Sequence, residues 1–92
     1  MKVYLACFDI ENDKKRRRLS NLLLSYGERV QYSVFEITVK NDSSLKRLLK
    51  RCKQHVDGGD DLRFYALPFN ARLASFDING EPIARYPQAE IL

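Results

Sequence analysis

The chain has little of what covalent catalysis, metal clusters or export would need. Its 92 residues hold one histidine, two cysteines, four glycines and three prolines. The lone His55 has no nearby Cys or His at ligand spacing, and it suits a helix-terminal surface position better than catalysis. No Ser-His-Asp pattern, phosphate-binding glycine loop or Cys-x-x-Cys occurs, so covalent catalysis has no candidate. Cys7 and Cys52 fall at apolar-periodic positions and read as two inert core thiols rather than a disulfide. The apolar run at the N-terminus is cut at Asp9, too short for a signal peptide or a membrane span. A cytoplasmic protein with no membrane partner is expected. Repeats, low-complexity stretches and disordered tails are also lacking. No aromatic stacking platform or base-reading set stands out.

What is present suffices for a single domain over residues 1–92, with 45% hydrophobic residues, five Phe and five Tyr. Dimerisation would help so small a chain bury surface. Sixteen basic against twelve acidic residues give +4 and a pI near 9.2, a balance that permits nucleic-acid binding without diagnosing it.

Val3 to Ile10 is nearly all apolar and predicts a central strand covered on both faces. Asn12 or Asp13 caps a helix running to about Ser25, with Leu19, Leu22, Leu23 and Tyr26 as its stripe and Gly27 as terminator. Over residues 28–40 the alternation changes phase: Val30 and Tyr32 share one parity, Phe35, Ile37 and Val39 the other. This requires two short strands or one bent strand. Asp42, Ser43 and Ser44 offer caps for a second helix with Leu45, Leu48, Leu49, Cys52 and Val56 inward, ended by Gly58-Gly59. Leu62 to Leu67 is a strand stopped by Pro68. Leu73–Ile78 and Pro82–Tyr86 then flank Asn79-Gly80, a signal for a type I′ hairpin. The apolar end Ile91-Leu92 predicts a docked strand, on this subunit or on a partner. The order is an α+β, ferredoxin-like β-α-β-β-α-β sandwich with an extra C-terminal β element.

Asp9 ends the first strand, and five consecutive basic residues, Lys14 to Arg18, open the helix that follows. Cations there oppose the helix dipole, each by about a few tenths of a kcal/mol, so stability alone does not account for them. At about 3.6 residues per turn, Arg16 and Arg18 fall on opposite flanks of the leucine stripe and lean back toward Asp9. Lys14 and Arg17 point outward, to a partner or solvent. Asp9 is either a metal ligand, completed by its twofold mate, or a turn-capping carboxylate paired with Arg16 or Arg18. Asp57, Asp60 and Asp61 read as loop solvation. On the second helix Lys46, Arg47, Lys50, Arg51 and Lys53 form a solvated face or a phosphate-facing ridge.

Tyr4-Leu5-Ala6-Cys7-Phe8-Asp9-Ile10, the basic helix, and Tyr26 through Glu36 together resemble the CRISPR-associated protein two family, over essentially the whole chain. The resemblance implies a ferredoxin-like homodimer whose C-terminal strand packs on the other subunit's sheet. It makes Asp9 the metal-binding aspartate for Mg²⁺, paired across the twofold axis. It assigns nuclease-associated positions to Phe8, Arg16, Arg18, Arg29 and Phe35. Position 8 is often Tyr in the family, and Phe8 lacks that hydroxyl. Lys14, Lys15, Arg16, Arg18 and Arg29 are the candidate nucleic-acid contacts. The implied activity is Mg²⁺-dependent endonuclease cleavage of single-stranded RNA or duplex DNA. The implied partner is the CRISPR integrase, which such a dimer bridges without chemistry during spacer acquisition. A small-molecule regulator would need a ligand-lining loop, and the Gly58-Gly59 turn is too short for one.

Overall fold

The structure, a computed structural model, describes residues 1–83. In chain order the elements are β1 (Lys2–Asp9), α1 (Asp13–Leu24), β2 (Gly27–Gln31), β3 (Val34–Val39), α2 (Asp42–Cys52), a 3-10 turn (Lys53–His55), β4 (Asp61–Ala66) and α3 (Phe69–Ala74). The strands form one antiparallel sheet in the order β2-β3-β1-β4. This is the α+β, split β-α-β arrangement that the element order predicts.

Alternation explains the core. Ala6, Phe8 and Ile10 from β1 and its end share a face with Phe35, Ile37 and Val39 of β3. That face packs on Leu19, Leu22 and Leu23 of α1 and on Leu48 and Cys52 of α2. Phe35, Ile37, Leu19, Leu23 and Leu48 are fully buried. β1 is central as expected, but its second face, Val3, Leu5 and Cys7, is only half-buried. Cys7 therefore leaves the core expected for it, while Cys52 stays in it at 1% exposure.

The phase change over residues 28–40 resolves into two strands, reversed at Tyr32-Ser33, with a further register shift between Arg29 and Gln31. Val30 is the extra residue of a bulge, so Arg29 and Gln31 oppose the adjacent Phe35 and Val34. Gly27 does not terminate α1, which ends at Leu24 with Ser25 as its cap. It is required by close approach, since a Cβ there would lie 1.9 Å from the Glu36 carbonyl oxygen.

Other expectations shift by a residue or more. α2 is capped by Asn41, not by Asp42, Ser43 or Ser44, and ends at Cys52 ahead of the glycines. The first residue of α2, Asp42, pairs instead with Lys2. Leu73 sits in α3 rather than in a strand. Glu36 lies between two core residues of β3 and so points away from the α1–α2 side, where Arg72 of α3 pairs with it. A short third helix thus serves the other face of the sheet. Six uncapped residues are marginal as a helix by themselves, and this pair supplies the tertiary hold.

The turn after α3 is not type I′, because Gly80 has positive φ and Asn79 does not. Gly80 N–H donates to the Asp77 carbonyl, and Asp77 and Glu81 are joined by a 2.9 Å backbone bond. The Asp77 carboxylate accepts from the N–H groups of Asn79 and Glu81. This is the longer hairpin loop with a left-handed glycine at its end, fixed by an Asx contact. Residues 84–86 of the expected second arm, and Glu90-Ile91-Leu92 of the expected C-terminal strand, lie outside the described residues.

Candidate nucleic-acid interface

One end of the sheet gathers most of the candidate residues. β1 ends at Asp9, and Phe8 N–H donates to the Ser33 carbonyl, which ties that end to the β2–β3 turn. α1 begins at once: Asn12 Oδ1 accepts from Lys15 N–H at 2.9 Å. The helix therefore presents its basic first turns beside the turn at Tyr32-Ser33.

A stack runs outward from the core there. Phe8 and Phe35 are parallel, with ring centroids 5.9 Å apart. The Arg29 guanidinium lies over Phe35 at 5.0 Å and over Tyr32 at 5.6 Å. Buried phenylalanines thus carry a sandwiched cation, and Tyr32 closes the stack at 70% exposure. The bulge at Val30 sets this up by bringing Arg29 opposite Phe35.

Arg16 is held beside the stack. It donates to the Ile10 carbonyl at 2.8 Å and pairs with Asp13. The Asp13 carboxylate and then the Tyr32 hydroxyl raise its pKa above the ordinary arginine value, so Arg16 stays cationic and has no proton-transfer role. Arg17, Arg29, Tyr32, Asp13, Ser20 and Asn21 share a concavity of about 340 Å³ with Arg16 and Leu24.

The expected lean toward Asp9 is corrected. Phe8 and Ile10 enter the core, so Asp9 between them points to the opposite face of the sheet. Arg16 turns to backbone carbonyls, and Arg18 is exposed and outside the concavity. Among the described residues Asp9 has no ion-pair partner, and the alternative in which it pairs with Arg16 or Arg18 is not realised. Arg17 is exposed, as read, and it also lines the concavity. Of the nucleic-acid candidates, Lys14 is exposed and Lys15 pairs with Asp57.

The acidic residues also depart from loop solvation. Asp60 accepts from Glu11 N–H at 3.2 Å and from Asp57 N–H at 2.9 Å, pinning the loop against the start of α1. Asp61 begins β4 directly across from Asp9 and pairs with Arg63 at 2.8 Å. Among the described residues no group of three or more His, Cys, Asp or Glu is placed to hold a metal. Asp9 is exposed, and Mg²⁺ takes one or two carboxylates plus water, so the donor chemistry at Asp9 fits that ion.

Sequence reasoning missed Tyr32 and Arg17. The hairpin turn at Tyr32-Ser33 was legible as a phase reversal, but its nearness to α1 is a tertiary fact.

A ferredoxin-like sheet ending in an arginine-rich, aromatic-lined concavity defines a small α+β protein with a basic site at one end of its sheet. Residues 1–73 match the family model of CRISPR associated protein Cas2, and the chain belongs to that family. It is 39% identical over 93 residues to the CRISPR-associated endoribonuclease Cas2 3 of Synechocystis sp., covering 100% of this chain and 99% of that one. It is 45% identical over 65 residues to the CRISPR-associated endonuclease Cas2 2 of Thermus thermophilus, covering 70% and 71%. A chain of the solved "Partial Cas6-RT-Cas1--Cas2 complex" superposes with a TM-score of 0.82 at 41% identity, covering 94% of this chain and 100% of that one. No helix among the described residues is long and apolar enough to cross a membrane.

Proposed function

We propose that the protein is a homodimeric CRISPR adaptation subunit that grips nucleic acid at the α1 end of its sheet and hydrolyses phosphodiester bonds with Mg²⁺ at Asp9. The observation that carries it is the convergence of Arg16, Arg17 and Arg29 with Tyr32 at the same end of the sheet where Asp9 ends β1. The relatives named as an endoribonuclease and an endonuclease support a nuclease; single-stranded RNA or duplex DNA is the substrate we propose for it. Asp9 would hold the ion, together with Asp9 of a second copy across a twofold axis. When bound, Mg²⁺ supplies Lewis acidity and neutralises charge developing on the phosphate. The arginines bind and orient the backbone.

The placement of Asp9 on the face opposite the arginines favours a second reading. In it the dimer is a non-catalytic scaffold that bridges subunits of the CRISPR integrase, consistent with a matched chain in a complex whose name includes Cas1. One comparison separates the two: cleavage of RNA and duplex DNA, with Mg²⁺ or EDTA, by wild type and Asp9→Ala. The nuclease reading expects Mg²⁺-dependent cleavage that Asp9→Ala abolishes while binding persists. Cleavage surviving the substitution removes Asp9 as the site. Intact spacer acquisition by Asp9→Ala, with its loss on charge reversal at Arg16, supports the scaffold.

A further inference from the structure

The concavity between α1 and the β2–β3 turn has features that a grip on duplex phosphates does not use. Such a grip needs only cations spaced along a backbone, without a hollow or an aromatic wall. This site is hollow, and its volume of about 340 Å³ falls within the range of small-molecule pockets, about 300–1,000 Å³. Tyr32 stands over it 70% exposed, with Leu24 at 47% exposure as an apolar neighbour. Ser20 also lines it and is only 6% exposed. Among the described residues the Ser20 hydroxyl has no hydrogen-bond partner. A buried hydroxyl left unpaired at the wall of a hollow is a donor and acceptor awaiting a ligand.

The charges divide the site further. Arg16 is committed to Asp13 and to the Ile10 carbonyl, and it forms a wall. Among the described residues Arg17 has no ion pair, and Arg29 is held only through its faces, by rings. Their N–H edges are therefore left for an anion. An exposed aromatic face, two uncommitted guanidinium groups and polar groups at Ser20 and Asn21 match the parts of one nucleotide: base, phosphate and base edge.

We propose that this pocket takes one unpaired nucleotide of a bound strand, its base against Tyr32, its phosphates on Arg17 and Arg29, and its edge toward Ser20 and Asn21. The proposal rests on the nucleic-acid reading above and names the substrate feature within it: an unpaired base, at an end or in a single strand, rather than continuous duplex. A paired base cannot enter without leaving its stack, so blunt duplex engages the arginines alone.

The test is fluorescence-anisotropy titration of the full chain against three labelled duplexes: blunt, with a short unpaired end, and with that end made abasic. Wild type is expected to prefer the unpaired end over blunt duplex by about tenfold, the scale of one aromatic–base stack, and to lose that preference on the abasic end. Tyr32→Ala erases the preference and Tyr32→Phe keeps it, each variant's own blunt-duplex affinity serving as its reference. Tyr32 is an exposed turn residue, so neither substitution threatens the core. Arg17→Gln lowers the salt slope by about one contact on all three ligands. Equal wild-type affinity for the three duplexes, or an undiminished preference in Tyr32→Ala, overturns the pocket while leaving the nucleic-acid reading intact. No binding to any of them at low salt overturns both.

Discussion

The two long helices carry nearly the same chemistry and use it differently. Each starts behind an asparagine whose side chain accepts from the third residue on, Asn12 from Lys15 and Asn41 from Ser44. Each bears five cations, Lys14 to Arg18 on α1, and Lys46, Arg47, Lys50, Arg51 and Lys53 on or just after α2. On α2 these stay exposed; among the described residues Arg47 reaches only Ser44 of its own helix. Lys50 and Arg51 sit in the last turn, where the helix dipole favours them. The cations of α1 sit in its first turns, where the dipole opposes them, yet they are placed: Arg16 on the β1–α1 loop, Lys15 on Asp57, Arg17 in the concavity. What distinguishes the helices is the overhanging β2–β3 turn, not the charge. A basic run that helix stability does not reward, set beside an aromatic turn, is the stronger indication of function.

The largest expected effect comes from removing the overhang. Gly27→Ala would drive a Cβ to 1.9 Å from the Glu36 carbonyl and 2.8 Å from the Ile37 Cα, both backbone atoms that cannot rotate away. The edge strand must shift or detach, at about 3 kcal/mol, the upper end of ordinary overpacking. Chemical denaturation reads the loss. Should the variant fold near wild-type stability, its affinity for nucleic acid must still fall, because Arg29 and Tyr32 would no longer stand over α1. Wild-type stability with wild-type binding would mean that the overhang does not make α1 special.

A matched pair of double substitutions sharpens the comparison next. Lys14→Gln with Arg17→Gln, and Lys50→Gln with Arg51→Gln, remove the same charge from the two helices. The α1 pair should weaken nucleic-acid binding by about tenfold at moderate salt, the α2 pair by about twofold or less. Their effects on Tm should have opposite signs. The α1 pair relieves cations at the positive end of the dipole, and the α2 pair removes favourable ones from the negative end. Equal losses of affinity would make net charge, not placement, the determinant.

The order and packing of the elements were legible because they follow from period: alternation in β1 and β3, the leucine stripes, and the phase break near Ser33. The sheet's second face was not legible. Val3, Leu5 and Cys7 read as buried, and nothing local revealed that a six-residue helix held by Arg72 and Glu36 would serve that side. At the site, Phe8, Phe35, Arg16 and Arg29 do come together. Arg18 and Asp9 do not join them, since strand alternation turns Asp9 away and Arg16 finds carbonyls first. Tyr32 and Arg17 needed the fold, because no spacing in the sequence reports that a hairpin tip lies over a helix 15 residues earlier in the chain.

The smallest effect concerns the inner face of α2, whose job by this comparison is packing. Cys52 is 1% exposed there, and burial pushes its thiol from 9.0 up to about 11. Below pH 9.0 the thiol is protonated folded and unfolded alike, so its contribution to stability is fully present. Between 9.0 and about 11 only the unfolded chain releases the proton, so stability falls as pH rises and the contribution is gone above that window. Unfolding measured across that window should therefore slope more steeply in wild type than in Cys52→Ala, the difference isolating the thiol from the lysines and tyrosines that titrate nearby. Alkylation gives an independent reading below the window. Cys7, half-buried on the sheet's other face, should react well before Cys52. Comparable rates at the two thiols would mean that α2 opens readily, and its quiet basic face could then no longer be explained by a helix that is simply part of the core.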